Sequence, residues 1–332
     1  MPDKKIQEKL FQQLKAVMPP GMQLVDAVAD ILHLSTDSAY RRIRGETPLV
    51  LEEAQALCHH YHLSLDALVI GSTGTVSFKV MSINGGDAGF EQYWQNLLLA
   101  VQGIASFRQK EIIYLSKDMP FFHNFCFPEL FAFRHFFWMK SILQHPGYTH
   151  QLFSFDCLTP TIAATGRAIL ATYNQISSTE IWNTESLNST LSQVEHFSEA
   201  GYFRSRDDLH LLYDALYKTV EHVQAETEAG CKFLPGENPD YKSENFKVFY
   251  NRVVLGDNTI LILHDGYKTV YLNYDVLNYM YTHDEAFGNE VYGKVQTLMR
   301  RATILSKESE KQRTAFFNSL YQRIEKSKQS IL

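Results

Sequence analysis

Residues 28–68 read VADILHLSTDSAYRRIRGETPLVLEEAQALCHHYHLSLDAL. Apolar side chains recur at helical spacing in this stretch and just before it, in three short blocks: Val25, Val28, Ala29 and Leu32, then Tyr40 and Ile43, then Leu51, Ala54, Leu57 and Tyr61. The spacing predicts helices over 22–32, 36–44, 49–61 and 64–69. Upstream, Ile6, Leu10, Leu14 and Val17 make a stripe over 4–18 that Pro19, Pro20 and Gly21 terminate. Downstream, Gly71, Ser72, Thr73, Gly74 and Thr75 form a small polar linker. The expected organisation is a bundle of five short helices at 1–70, a linker at 71–75 and a larger region at 76–332.

An apolar helix, a tight turn, a Ser/Thr-led helix closed by Gly45, an L-E-E helix and an L-S-L-D ending together resemble the Cro/C1 repressor-type (XRE-like) helix-turn-helix family. The resemblance covers about one fifth of the chain and stops at the linker. It implies a sequence-specific regulator whose second helix enters the major groove of double-stranded DNA. Two departures stand out: His33 occupies the turn position usually held by glycine, and the inward pair Tyr40 and Ile43 sits one place late.

By helical face, Thr36, Ala39, Tyr40 and Ile43 are expected inward, leaving Ser38 and Arg41 central on the opposite face with Asp37 and Arg42 beside them. Arginine suits that face because its planar fork bonds guanine O6 and N7 together. Arg44 is placed at the edge, toward phosphate. Ser35 or Thr36 is expected to cap the helix and to turn its N–H groups toward a phosphate. One small domain reads few base pairs, so a homodimer is expected, joined through the larger region.

The net charge of −6 excludes a molecule coated in basic residues, and residues 1–70 are themselves slightly acidic. Cys58, Cys126, Cys157 and Cys231 lie far apart, as expected of reduced thiols in a cytoplasmic protein. His59, His60 and His62 beside Cys58, and His123 near Cys126, lack a second ligand pair at metal-site spacing, so no metal or other cofactor is expected. The most apolar stretch, 128–143, carries Glu129, Arg134, His135 and Lys140 and is too short to span a bilayer, so no membrane association is expected.

The larger region contains no phosphate-binding loop, no H-E-x-x-H and no G-x-S-x-G. Its pattern predicts strands at 76–81 and 111–115, a turn at 84–87, and helices over 90–107, 128–144, 159–175, 184–200 and 207–229. An antiparallel meander is expected from 247–255, 259–263 and 269–273, with Asp265-Gly266 as its sharpest hairpin signal. Helix is expected again over 274–281 and from 289 to the C-terminus, the last stretch being basic and open to reading as a separate helical segment. The fold class is therefore α+β, with an all-α N-terminal bundle.

The aromatic run from Phe121 to Trp138 reads as core or dimer interface, or as a ligand pocket with His123, Arg134 and His135 as polar contacts. Three functions stay open. The first is a DNA-binding regulator with a small-molecule or protein effector. The second is an enzyme with a DNA-targeting domain, of degenerate phospholipase-D-like or nuclease-like fold, although no H-x-K pair exists. The third is an interaction adaptor. The first is favoured, without enzymatic activity.

Overall fold

The computed structural model describes residues 4–19, 21–61, 63, 65, 75–81, 87–253, 256–307 and 309–331. Among these it holds eleven α-helices and eight strands, an α+β fold with a helical N-terminus. Of the expected helix at 64–69 only residue 65 is described, and the linker residues 71–74 and the turn residues 84–86 lie outside the described residues.

The N-terminal helices are α1 (Lys4–Val17), α2 (Leu24–Ile31), α3 (Thr36–Ile43) and α4 (Leu51–His60). Leu10, Phe11 and Leu14 of α1 bury against Val28 of α2, Ala39 of α3 and Leu57 and Cys58 of α4, closing a core of their own. The α2–α3 turn passes through His33 at φ 52, a left-handed residue without glycine's freedom, and α3 is closed by Gly45 at φ 71.

The larger region is built on one mixed sheet. Its strands are β1 (Lys79–Met81), β2 (Lys110–Leu115), β3 (Ser177–Asn183), β4 (Phe246–Asn251), β5 (Thr259–His264), β6 (Tyr267–Asn273), β7 (Tyr279–Thr282) and β8 (Thr303–Ile304). They run in the order β1-β7-β6-β5-β2-β3-β4-β8. Only β2, β3 and β4 are mutually parallel. Helices make their crossovers: α5 (Asp87–Ser106) precedes β2, α6 (Pro128–Phe137) and α7 (Pro160–Tyr173) join β2 to β3, and α8 (Asn188–Glu199) and α9 (Arg206–Ala229) join β3 to β4.

These helices and α11 (Glu310–Ile331) cover one face of the sheet, over a core containing Trp94, Phe133, Phe136, Trp182, Phe197 and Phe317. The other face carries α10 (Glu285–Arg301), whose Val295 packs on Ile113, Ile181, Leu261 and Val270. Alternation along β3 therefore sends Ile181 to one core and Trp182 to the other. The two regions of the chain meet where Tyr40 and Ile43 share a cleft with Phe107, His264, Asp265 and Tyr267.

The Asp265-Gly266 signal is realised fully: both residues have positive φ and His264 faces Tyr267 across a two-residue loop. The expected meander is corrected in its membership. Residues 246–251 pair with β3 and β8, while the meander runs β5-β6-β7-β1. Instead of a helix over 274–281, the Asp275 carboxylate accepts from the backbone of Leu277 and Asn278, and strand β7 follows. The long terminal helix is two helices separated by β8. Strand β3 was absent from the expectation because its SSTEIWN run begins with four polar residues.

Candidate nucleic-acid interface

Helix α3 begins at Ser35, whose hydroxyl accepts from the Ser38 amide at 3.3 Å, as a cap should. Its far end is clamped by a residue outside the helix-turn-helix. The Gln7 side chain donates to the Arg42 and Thr47 carbonyls at 2.6 and 2.9 Å and accepts from the Leu49 amide at 3.0 Å. Nothing in the local pattern pointed to Gln7, because it acts across 35 to 42 residues of sequence.

The rotation of α3 differs from expectation. Ala39 is fully buried, Ser38, Arg42 and Ile43 are half-buried, and Tyr40 is 46% exposed along with Thr36, Asp37, Arg41 and Arg44. At 100° per residue, Thr36, Tyr40, Arg44, Asp37 and Arg41 form one continuous outward arc of about 140°. Thr36 and Tyr40 are thus corrected from inward to outward, and Ser38 and Arg42 turn inward. The physical reason is on α4: Arg42 donates from Nε and Nη2 to the two Glu53 carboxylate oxygens at 2.9 and 2.8 Å, and from Nη1 to the Ser38 carbonyl. Glu53 also accepts from the Val50 amide, so one carboxylate ties α3 to the start of α4. The Arg42 bond holds that carboxyl below its usual range. Arg42 therefore braces α3 against α4.

The Arg41 carbonyl accepts from the Glu46 and Thr47 amides, but its guanidinium is exposed and has no hydrogen bond or ion pair among the described residues. Arg44 lies over the Tyr40 ring at 5.5 Å and reaches Glu46 only at 3.8 Å. These are solvated cations on a helix whose backbone is otherwise satisfied, the arrangement that a nucleic acid can use at low desolvation cost.

Residues 3–87 match the family model of the BetR domain. This is a helix-turn-helix-like DNA-binding family. The match covers about one quarter of the chain and contains all seven residues proposed from sequence for DNA contact. It extends past residue 70 through β1 to the start of α5. No curated protein and no solved structure matches the chain. Among the described residues no helix is long and apolar enough to cross a membrane.

Outside the matched residues, the three polar residues expected in a ligand pocket are all inside the core. Arg134 donates from Nε to Asn124 Oδ1 at 2.8 Å, bonds Gln193 and Thr190, and faces Asp118 at 3.5 Å. His135 lies 3.4 Å from both Trp94 Nε1 and the Tyr148 hydroxyl. His123 places Nε2 at 2.8 and 2.9 Å from the two Glu180 oxygens. None of the three borders the open cavity between α5 and the sheet.

Glu180, on the strand that the sequence reading missed, is the centre of this buried network. It also accepts from the Tyr173 hydroxyl and the Trp182 indole, each at 2.8 Å. Burial opposes its ionisation, but His123, Trp182 and Tyr173 outweigh that and hold the carboxyl below its usual range. For His123 burial opposes the imidazolium and Glu180 prevails, raising it. Lys232 donates to the Tyr173 and Ile176 carbonyls and lies over the Tyr173 ring at 3.5 Å. Its ammonium is pulled down to about 7 by burial, against Glu226 and Glu180. The Glu180 carboxylate is fully occupied by protein donors, and His123 Nδ1 is the one ring nitrogen of the cluster left without a partner among the described residues. The cluster fastens β3, α7 and the 3-10 turn Phe121–Phe125 together.

Proposed function

We propose that this chain is a sequence-specific transcription regulator that binds operator DNA as a homodimer, without enzymatic activity of its own. The N-terminal helices read the DNA, and the larger region joins the two copies and receives a small-molecule or protein effector. The observation that carries the reading is the outward arc of α3, where Arg41 is solvated and unpaired while its neighbour Arg42 is occupied by Glu53. Arg41 takes the base-reading role, with Asp37 and Thr36 beside it, while Tyr40 borders the cleft shared with the larger region. Arg44 takes a phosphate, and Ser35 with Ser38 holds the helix start. The inward residues of the larger region support a scaffolding part, since the Glu180 carboxylate at the centre of its buried cluster is taken up by His123, Tyr173 and Trp182.

The test is selection of random duplex DNA by the full-length chain beside its Arg41→Ala variant. The expected result is a two-fold symmetric motif, lost in the variant, with binding that falls steeply as salt rises. Absence of enrichment even at low salt would overturn the reading and leave the bundle as an interaction module.

A further inference from the structure

We propose that the cavity between α5 and the sheet is a binding site for a neutral, largely apolar small molecule with one polar end. The proposal deepens the regulator reading by naming its effector class. Its test uses no DNA, so the two can fail separately.

The cavity measures about 440 Å³, inside the ~300–1,000 Å³ span of small-molecule sites. It exists because α5 leans on α7 instead of lying flush on the strands; Gln95, for instance, donates to Thr165 of α7 at 3.0 Å. The sheet-facing side of α5 ends in short or branched side chains, Ala100 and Ile104, that stand opposite Ile262 of β5 and Tyr271 of β6. No described residue of the lining carries a charge. A charged ligand would lose its hydration there without a counter-ion, whereas a neutral one loses little.

The lining is graded along α5. Its N-terminal half contributes Gln92, Tyr93 and Asn96, and its C-terminal half only apolar groups. The Gln92 amide donates to Asn96 Oδ1 at 2.9 Å, leaving further donor and acceptor positions on both amides. Burial raises the Tyr93 and Tyr271 phenols, so both are protonated donors at neutral pH. An occupant therefore places its polar end toward Gln92, Tyr93 and Asn96 and its apolar body toward Ile104.

The site is also placed to matter to the reading domain. Ala100, Ile104, Ile262 and Tyr271 form part of a second cleft that Ala16, Met18 and Tyr61 of the N-terminal region close. A molecule wedged between α5 and β5 bears on the two walls against which the N-terminal helices rest.

The experiment is a fluorescence titration of the full-length chain with the neutral, apolar amine N-phenyl-1-naphthylamine. We expect saturable binding at one probe per chain. Ala100→Phe, which fills the cavity, and Met81→Trp, which narrows its mouth, should each weaken binding at least about tenfold. Leu99→Ala, on the outward side of α5 at 63% exposure, should leave binding unchanged. Circular dichroism checks that each variant is folded. Should Ala100→Phe fail to fold, Met81→Trp decides, because Met81 sits on an exposed edge strand. Absence of saturable binding, full binding by the folded cavity variants, or equal loss in Leu99→Ala would each overturn the site.

Discussion

Arg41 and Arg134 are both helical arginines in stretches singled out by sequence as functional, and the molecule treats them oppositely. Arg41 projects from α3 into solvent with no partner among the described residues, whereas Arg134 is 5% exposed and bonded to Asn124, Gln193 and Thr190. The same contrast recurs between Arg42 and Arg41, one residue apart. A cation that has been given its carboxylate internally is part of the frame. One left hydrated has its full capacity for a partner from outside. The N-terminal helices keep Arg41 and Arg44 on their surface, and the larger region encloses Arg134, His123 and Lys232 among its own residues.

The sharpest way to break this comparison is to remove the centre of the network. Glu180→Ala leaves His123, Tyr173 and Trp182 buried without their acceptor and should lower the free energy of urea unfolding by ~3–5 kcal/mol. A loss smaller than about 1 kcal/mol would mean that the cluster contributes little to the fold.

Lys232 tests the same network through pH. Its folded pKa of about 7 lies below its ordinary 10.5. Between those values the unfolded chain binds a proton that the folded chain does not, so this residue should make stability rise with pH across that window. The rise should be on the order of a few kcal/mol, complete near the unfolded value. Lys232→Met should flatten it relative to the unaltered chain in denaturation curves taken at several pH values; identical slopes would contradict burial as the cause.

On the other side of the comparison, Arg41→Ala should cost ~1–3 kcal/mol on cognate DNA, much less on random DNA, and nothing measurable in thermal stability. Equal loss on both DNAs would move Arg41 from base to phosphate. The smallest effect is expected for Arg42→Ala, about 1 kcal/mol of stability in the N-terminal bundle through loss of the half-buried Glu53 pair, with the selected DNA motif unchanged. A changed motif with unchanged stability would reverse the roles given to the two neighbours.

Much of the candidate interface was legible because it is local. The Ser35 cap, the left-handed His33 turn and the closing Gly45 depend on residues within one or two turns of α3, and so does the Asp265-Gly266 hairpin in its own place. The rotation of α3 was less legible. Tyr40 counts as apolar in a periodicity, yet the arc that Ala39 buries leaves it outside, and the decisive partner of Arg42 lies on the next helix. The larger region was legible as class, as helices and as the strands β1, β2, β5 and β6, but not in its strand order or in β3. Strand β3 defeats pattern reading since its Glu180 is buried by partners drawn from residues 123, 173 and 182.

The sequence by itself determined the existence of a helix-turn-helix, most helix positions and the α+β class, all of which follow from periodicity, caps and turns within short windows. Only the tertiary structure decided which arginine is free and which is a brace, which strands are neighbours, and that His123, Arg134 and His135 are fastenings while an uncharged cavity opens beside α5. Those outcomes depend on pairings across tens to hundreds of residues, where each polar group's role is set by the partner that folding brings to it.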